Sequence, residues 1–150
     1  MGKGKPVNGA TLSPAKAPWH LWLVGVLTLL FNAMGVFSYV MTRLGKLAAL
    51  GMTPEQIAFM NSYPAWAVTL WAFGVLGAFA GSVLLLLRSR IAVVAMVVAT
   101  IGLFGTTVYN YALTTVPESM QAPALDVAIW AVTLFLLFYA RRMAAAGVLR

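Results

Sequence analysis

The chain contains no cysteine, one histidine and only three acidic side chains among its 150 residues. Each scarcity excludes something. Without cysteine there is no disulfide and no thiolate metal site, and the redox compartment is left open. Charged residues make up 9% of the chain and hydrophobic residues 62%, where a soluble domain carries roughly 25% charged residues. A fold of this size in water needs a polar skin that these residues cannot supply. The expected solvent is lipid. Ten lysines and arginines stand against three acids, and such an excess can signal nucleic acid. Here the charges sit at the ends of apolar runs, which points to membrane topology and away from a nucleic-acid partner.

Residues 1–18, rich in Gly, Pro and Lys, have no apolar period and read as a disordered tail. Met1-Gly2 is no myristoylation signal, because Pro6 stands where Ser or Thr is needed. Four apolar runs follow, over about 19–41, 64–87, 91–113 and 123–140. The first is too long for a signal-peptide core of roughly 7–15 residues, and at 1.5 Å per residue it crosses a hydrocarbon layer of about 30 Å. The runs are continuous rather than alternating, so helices are expected and strands are not. Only Arg88-Ser89-Arg90 separates the second run from the third, which implies a tight antiparallel hairpin. The fold class is an all-α integral membrane protein with four spans, a transmembrane domain over 19–140 and a basic stretch over 141–150.

Orientation follows from basic residues in short loops. Lys3, Lys5, Lys16, Arg88, Arg90, Arg141, Arg142 and Arg150 fall on one side, and only Arg43 and Lys46 on the other. Both termini are therefore expected in the cytoplasm, with Glu55, Glu118 and Asp126 on or near the opposite side. In that loop Thr53, Pro54 and Gln56 spell a capping box, which predicts a short interfacial helix over about 54–61 with Ile57 and Met60 toward the membrane.

The pentapeptide WAVTL occurs twice, at Trp66–Leu70 and Trp130–Leu134, each after a Pro-Glu pair. VFSYVMT at 36–42 and VYNYALT at 108–114 close the preceding runs. Two parallel helix-pair repeats would explain these echoes, and chance matches in an apolar alphabet are the alternative. Trp66 stands a full crossing before Arg88, whereas Trp130 stands about 16 Å of helix before Arg141. Either Trp130 lies deep in the bilayer, or the helix continues past Arg141-Arg142 with the arginines reaching back to the interface, or the echo is accidental.

Little here suits catalysis. No carboxylates share a helix face, no phosphate-binding glycine loop follows a strand, and His20 sits at an interface beside Trp19 and Trp22. No enzyme, no metal and no cofactor is expected. Asp126 lies near Pro123, where a carboxylate complements a helix N-terminus; a proton or substrate site is the rival reading. Asn32 falls near the middle of the first span, where an amide cannot face lipid without losing hydrogen bonds. Gly25, Thr28, Asn32, Gly35 and Tyr39 share a face, as do Gly74, Gly77 and Gly81, and Ala95, Ala99, Gly102, Thr106 and Tyr109. Small residues let helices approach closely in lipid. These stripes are either packing surfaces or, around Asn32, Tyr39, Tyr109 and Asn110, a polar notch for a hydroxyl-rich ligand.

The segments PWHLWLVGVLTLLFNAMGVFSYVMTRLG, TPEQIAFMNSYPAWAVTLWAFGVLGAFAGSVLLLLRSR and GLFGTTVYNY resemble a family of small four-helix bacterial inner-membrane proteins, whose members are labelled "sugar transporter" or left uncharacterised. The resemblance covers residues 18 to about 140. It implies four spans and a bacterial inner-membrane location, and brings no binding residues with it. The chain lacks the intramembrane glutamate of small multidrug transporters. Two functional expectations stand. One is a non-catalytic accessory subunit or homo-oligomer whose partners are the lipid bilayer, itself or other membrane subunits. The other is an oligomeric facilitative transporter of a small neutral, sugar-like solute. A Ser89→Cys variant, labelled in intact cells with a membrane-impermeant maleimide, is expected to stay unmodified until the membrane is opened; immediate labelling would reverse the orientation.

Overall fold

A computed structural model describes residues 15–150. The expected disorder of the tail, with Lys3 and Lys5, falls outside the described residues for positions 1–14. Among the described residues the fold is all-helical. Helix α1 is Trp19–Arg43, α2 Pro54–Asn61, α3 Ala65–Leu86, α4 Ile91–Val108 and α5 Pro123–Ala145. Short 3-10 turns lie at Leu47–Leu50 and Glu118–Met120, and a single π-helical turn, Tyr109–Leu113, extends α4. With that turn counted, four helices are long and apolar enough to cross a membrane: 25, 22, 23 and 23 residues. Successive spans run antiparallel. One end of the bundle carries residues 15–18, the 88–90 turn and 141–150, here called the basic end. The other, the loop end, carries the connections over 44–64 and 114–122.

Helix α3 is the centre. It packs most extensively against α4, then against α1, while α5 leans mainly on α4. The α3–α4 seam is made by missing side chains. A Cβ on Gly77 would lie 3.0 Å from the Ala99 nitrogen and 3.1 Å from the Ala95 carbonyl oxygen. On Gly102 it would run into the Gly74 backbone and the Leu70 carbonyl. Backbones this close gain dispersion contacts that replace the hydrophobic drive absent between helices in lipid. Ala78, Leu85, Ala92, Met96 and Ala99 continue this contact into the core, which Leu21, Leu136 and Ala140 close from α1 and α5. Many large apolar side chains face outward instead, among them Leu30, Met34 and Phe37 on α1, Ile101 and Phe104 on α4, and Phe138 on α5. Such a surface suits hydrocarbon or an apolar protein partner.

Helix ends follow local chemistry. The capping box forms as expected: the Gln56 N–H donates to the Thr53 hydroxyl at 3.3 Å, and the Thr53 N–H donates to Gln56 Oε1 at 3.0 Å. Three spans end in the same reverse turn, with a left-handed residue just past the helix. After α1 that residue is Gly45 and after α5 it is Gly147. After α3 it is Arg88, at φ 57°, where glycine would be cheaper by about 1 kcal/mol or more. The arginine is held there. Its Nε donates to the Val148 carbonyl at 3.2 Å and its Nη2 to the Ala15 carbonyl at 2.7 Å. Arg150 N–H donates to the Arg88 carbonyl at 2.8 Å and Arg90 N–H to the Arg150 carbonyl at 2.9 Å. The chain after α5 thus folds back and buries Val148 and Leu149 in the core.

Two boundaries differ from the sequence expectation. Helix α5 runs on to Ala145 because Met143-Ala144-Ala145 continues good helix-forming sequence, so Arg141 and Arg142 sit within its last turns. Residues 15–18, assigned to the tail, dock on the core through Ala15 and Ala17. The two WAVTL copies are not equivalent in depth: Trp66 is the second residue of α3, while Trp130 is the eighth of α5. Gly102→Ala should destabilise the bundle by about 1–3 kcal/mol, because the new Cβ meets backbone. Gly105→Ala should cost less than half as much, because it meets only the movable Leu70 side chain. Denaturation in detergent, followed by circular dichroism, orders the two.

Candidate functional site

The polar residues of the first span meet α3 as a ladder. Gly25 lies against the Leu86 side chain, Gly35 against Val75, and the Tyr39 ring against Trp71. Between them Asn32 Nδ2 donates to the Ala78 carbonyl at 3.2 Å and to the Ser82 hydroxyl at 3.0 Å. Ser82 Oγ lies 3.1 Å from the Ala78 carbonyl and 3.3 Å from the Thr28 hydroxyl, which itself donates to the Val24 carbonyl at 2.6 Å. Asn32 is 8% exposed and Ser82 0%. Asn32 Nδ2 therefore has two acceptors on α3, and no buried side-chain polar atom among the described residues lacks a partner.

Gly74, Gly77 and Gly81 face α4 rather than α1. They lie against the Gly102–Leu103 backbone, Ala99 and the Met96 side chain respectively. Helix α3 therefore uses two faces: the glycine face for α4, and Val75, Ala78, Ser82 and Leu86 for α1.

The four residues that the sequence grouped as one notch separate into two places. Asn32 is enclosed between α1 and α3. Tyr39 sits two turns away and belongs, with Tyr109 and Asn110, to an aromatic cluster at the loop end. There the ring of Trp71 lies 5.0 Å from Tyr39 and 6.0 Å from Tyr63, and Tyr63 lies 4.7 Å from Tyr109. Trp66 closes on Tyr109 edge-on at 5.5 Å, and Phe59 of α2 on Tyr63 at 5.6 Å. The Tyr63 hydroxyl donates to Asn110 Oδ1 at 2.6 Å. Asn110 lies within the π-helical turn.

Burial raises the pKa of the Tyr63 phenol above its ordinary value. The Asn110 bond opposes this and loses, while Tyr109 and Asp126 add to the rise. Asp126 lies in the first turn of α5 and accepts from the Tyr111 hydroxyl. Trp130 Nε1 donates to the Thr107 hydroxyl at 3.1 Å, and His20 Nδ1 shares a hydrogen bond with the Tyr139 hydroxyl. No cluster of three metal-ligating side chains occurs among the described residues.

Two shallow depressions mark the surface. One, of about 390 Å³, is lined by Arg43, Tyr63, Ala65, Val68 and Thr69 at the loop end. The other, of about 380 Å³, is lined by Leu87, Arg88, Ser89 and Arg150 at the basic end. Neither reaches Asn32. Sequence reasoning assigned none of Ser82, Trp71, Tyr63 and Arg88 to a site. Ser82 was detectable, since it is the single hydrogen-bonding side chain between Trp71 and Leu87. No family model, no curated protein and no solved structure matches the chain.

The Asn32–Ser82 contact should contribute about 0.6–2 kcal/mol, read as the coupling energy in a double-mutant cycle of Asn32→Leu and Ser82→Ala in detergent. Additive effects would mean the bond is idle. Tyr63, with its raised pKa, supports the folded state fully below the ordinary tyrosine value of about 10, and that support is lost as pH rises through the raised value. Ultraviolet titration of the wild type minus Tyr63→Phe should place this transition above pH 10. A midpoint below 10 would contradict the burial.

Proposed function

We propose that the chain is a non-catalytic membrane subunit of the bacterial inner membrane, with both termini cytoplasmic, that works by assembling with copies of itself or with other membrane proteins. The engagement of Asn32 carries this reading. The one amide near the middle of a span donates to Ala78 and Ser82, so its donor nitrogen is used in closing α1 on α3. A transport path along this face would need polar groups with free valences and room for water. Two further observations support the reading. Only 17–22% of the residues in the most apolar stretch of each span are fully buried within the chain, which leaves helix surface for lipid or partners. The excess of basic residues at one end favours the cytoplasmic side for that end.

A second reading rests on the loop end. Tyr39, Tyr63, Trp71 and Tyr109 form a ring cluster beside Asn110 and the depression at Arg43. Clustered aromatic rings beside hydrogen-bonding groups suit the apolar face and the hydroxyls of a sugar-like solute. Reconstitution in vesicles separates the two. The subunit reading expects a particle heavier than one 16.1 kDa chain by light scattering, and no entry of labelled neutral sugars above empty vesicles. Saturable sugar entry that Asn110→Leu abolishes without loss of helix content would overturn it.

A further inference from the structure

The basic end carries more fixed positive charge than the chain can neutralise. Lys16, Arg88, Arg90, Arg141, Arg142 and Arg150 gather there, while Glu55, Glu118 and Asp126 lie in or beside the opposite connections. No aspartate or glutamate side chain stands at this end, and no ion pair occurs among the described residues. The charge is not spread evenly. Arg88, Ser89 and Arg150 line one depression of about 380 Å³, with Leu87 as its apolar wall.

This depression is held in shape from several sides. Two side-chain bonds, to Val148 and Ala15, fix the Arg88 guanidinium. They leave its Nη1 without a bond to any described residue. Arg150 is tied by its backbone to Arg88 and Arg90, and its side chain makes no hydrogen bond to a described residue. Ser89 Oγ accepts from the Ile91 N–H at 3.3 Å, so its hydroxyl proton remains available. Two arginines and a serine therefore line one hollow at the start of α4. Immediately beside it Leu87 is 70% exposed and Ile91 61% exposed, and Val94 continues the same lipid-facing row.

We propose that this hollow seats the phosphate and headgroup of an anionic phospholipid, whose acyl chains lie over Leu87, Ile91 and Val94. The chemistry fits at both ends of such a molecule. Guanidinium groups bind phosphate oxygens through short, charge-assisted and often paired hydrogen bonds. Basic residues at the headgroup level attract anionic lipid. The exposed leucine and isoleucine supply the apolar bed that a free phosphate ion would not use. The site lies at the level of one leaflet whichever way the chain is oriented, and it does not depend on the subunit reading.

The test uses the full chain in nanodiscs and native mass spectrometry. Discs are made of phosphatidylcholine with or without phosphatidylglycerol, and inorganic phosphate is added to detergent-solubilised protein in a separate arm. The parent should retain phosphatidylglycerol over phosphatidylcholine. Arg150→Gln, which keeps the backbone pairing and removes the charge, should lower that retention about tenfold, the loss expected for one charged hydrogen-bond donor. Lys46→Gln at the loop end should leave it unchanged. If Arg150→Gln loses helix content, Ser89→Ala takes its place, with a smaller loss expected. Equal retention by the parent and the basic-end variant, equal retention of the two lipids, or binding of inorganic phosphate with no preference for phosphatidylglycerol would each overturn the proposal.

Discussion

The contact on which the rest of the structure depends is that of two backbones, α3 against α4 at Gly74, Gly77 and Gly102. In lipid the apolar side chains gain nothing from leaving the solvent, so helices associate through close packing and hydrogen bonds. Packing is closest where side chains are missing, and the 88–90 turn makes the partners neighbours in sequence. With its glycine face committed to α4, α3 offers its other face, Val75, Ala78, Ser82 and Leu86, to α1. The placement of Asn32 follows from this. Its amide meets a carbonyl and a hydroxyl because α3 is already fixed in rotation by the glycine seam.

The two ends of the bundle solve different problems. At the loop end aromatic rings fill the space between α1, α3 and α4, and Tyr63 is locked to Asn110. The π-helical turn widens the end of α4 and carries Asn110 to that position; such turns occur often at sites that re-aim a side chain. At the basic end a strained Arg88 ties together three stretches that are far apart in sequence: residue 15, the hairpin turn and residues 148–150. A glycine there would relieve the backbone and release the tie. The cost of a left-handed arginine is offset by bonds that only its side chain can make.

Much of this was legible in the residues. Continuous apolar runs located the spans, since length and composition suffice when the solvent is hydrocarbon. Thr53, Pro54 and Gln56 gave the short helix, because a capping box is local chemistry. The stripe through Gly25, Asn32 and Tyr39 was rightly read as one face. What periodicity could not tell was which helix each face meets: α1 meets α3, but the glycines of α3 turn to α4. The same limit hid the division between Asn32 and the Tyr39–Tyr109–Asn110 group. Residues on one face two turns apart need not share a site. The fold-back after α5 was illegible for another reason. Gly147 marks the turn, but burial of Val148 and Leu149 depends on Arg88, some sixty positions away. The repeated pentapeptide marks two different depths, Trp66 at the entry to α3 and Trp130 inside α5, so matching letters did not mean matching position.

The central claim is that the polar face of α1 is dry and committed to α3. Water-edited solid-state NMR of the protein in lipid measures this directly. The account predicts that the Asn32 side-chain amide shows no polarisation transfer from water and correlates in space with Ser82, while Ser89 at the membrane surface shows strong transfer. Water transfer to Asn32 as strong as that to Ser89 would contradict it.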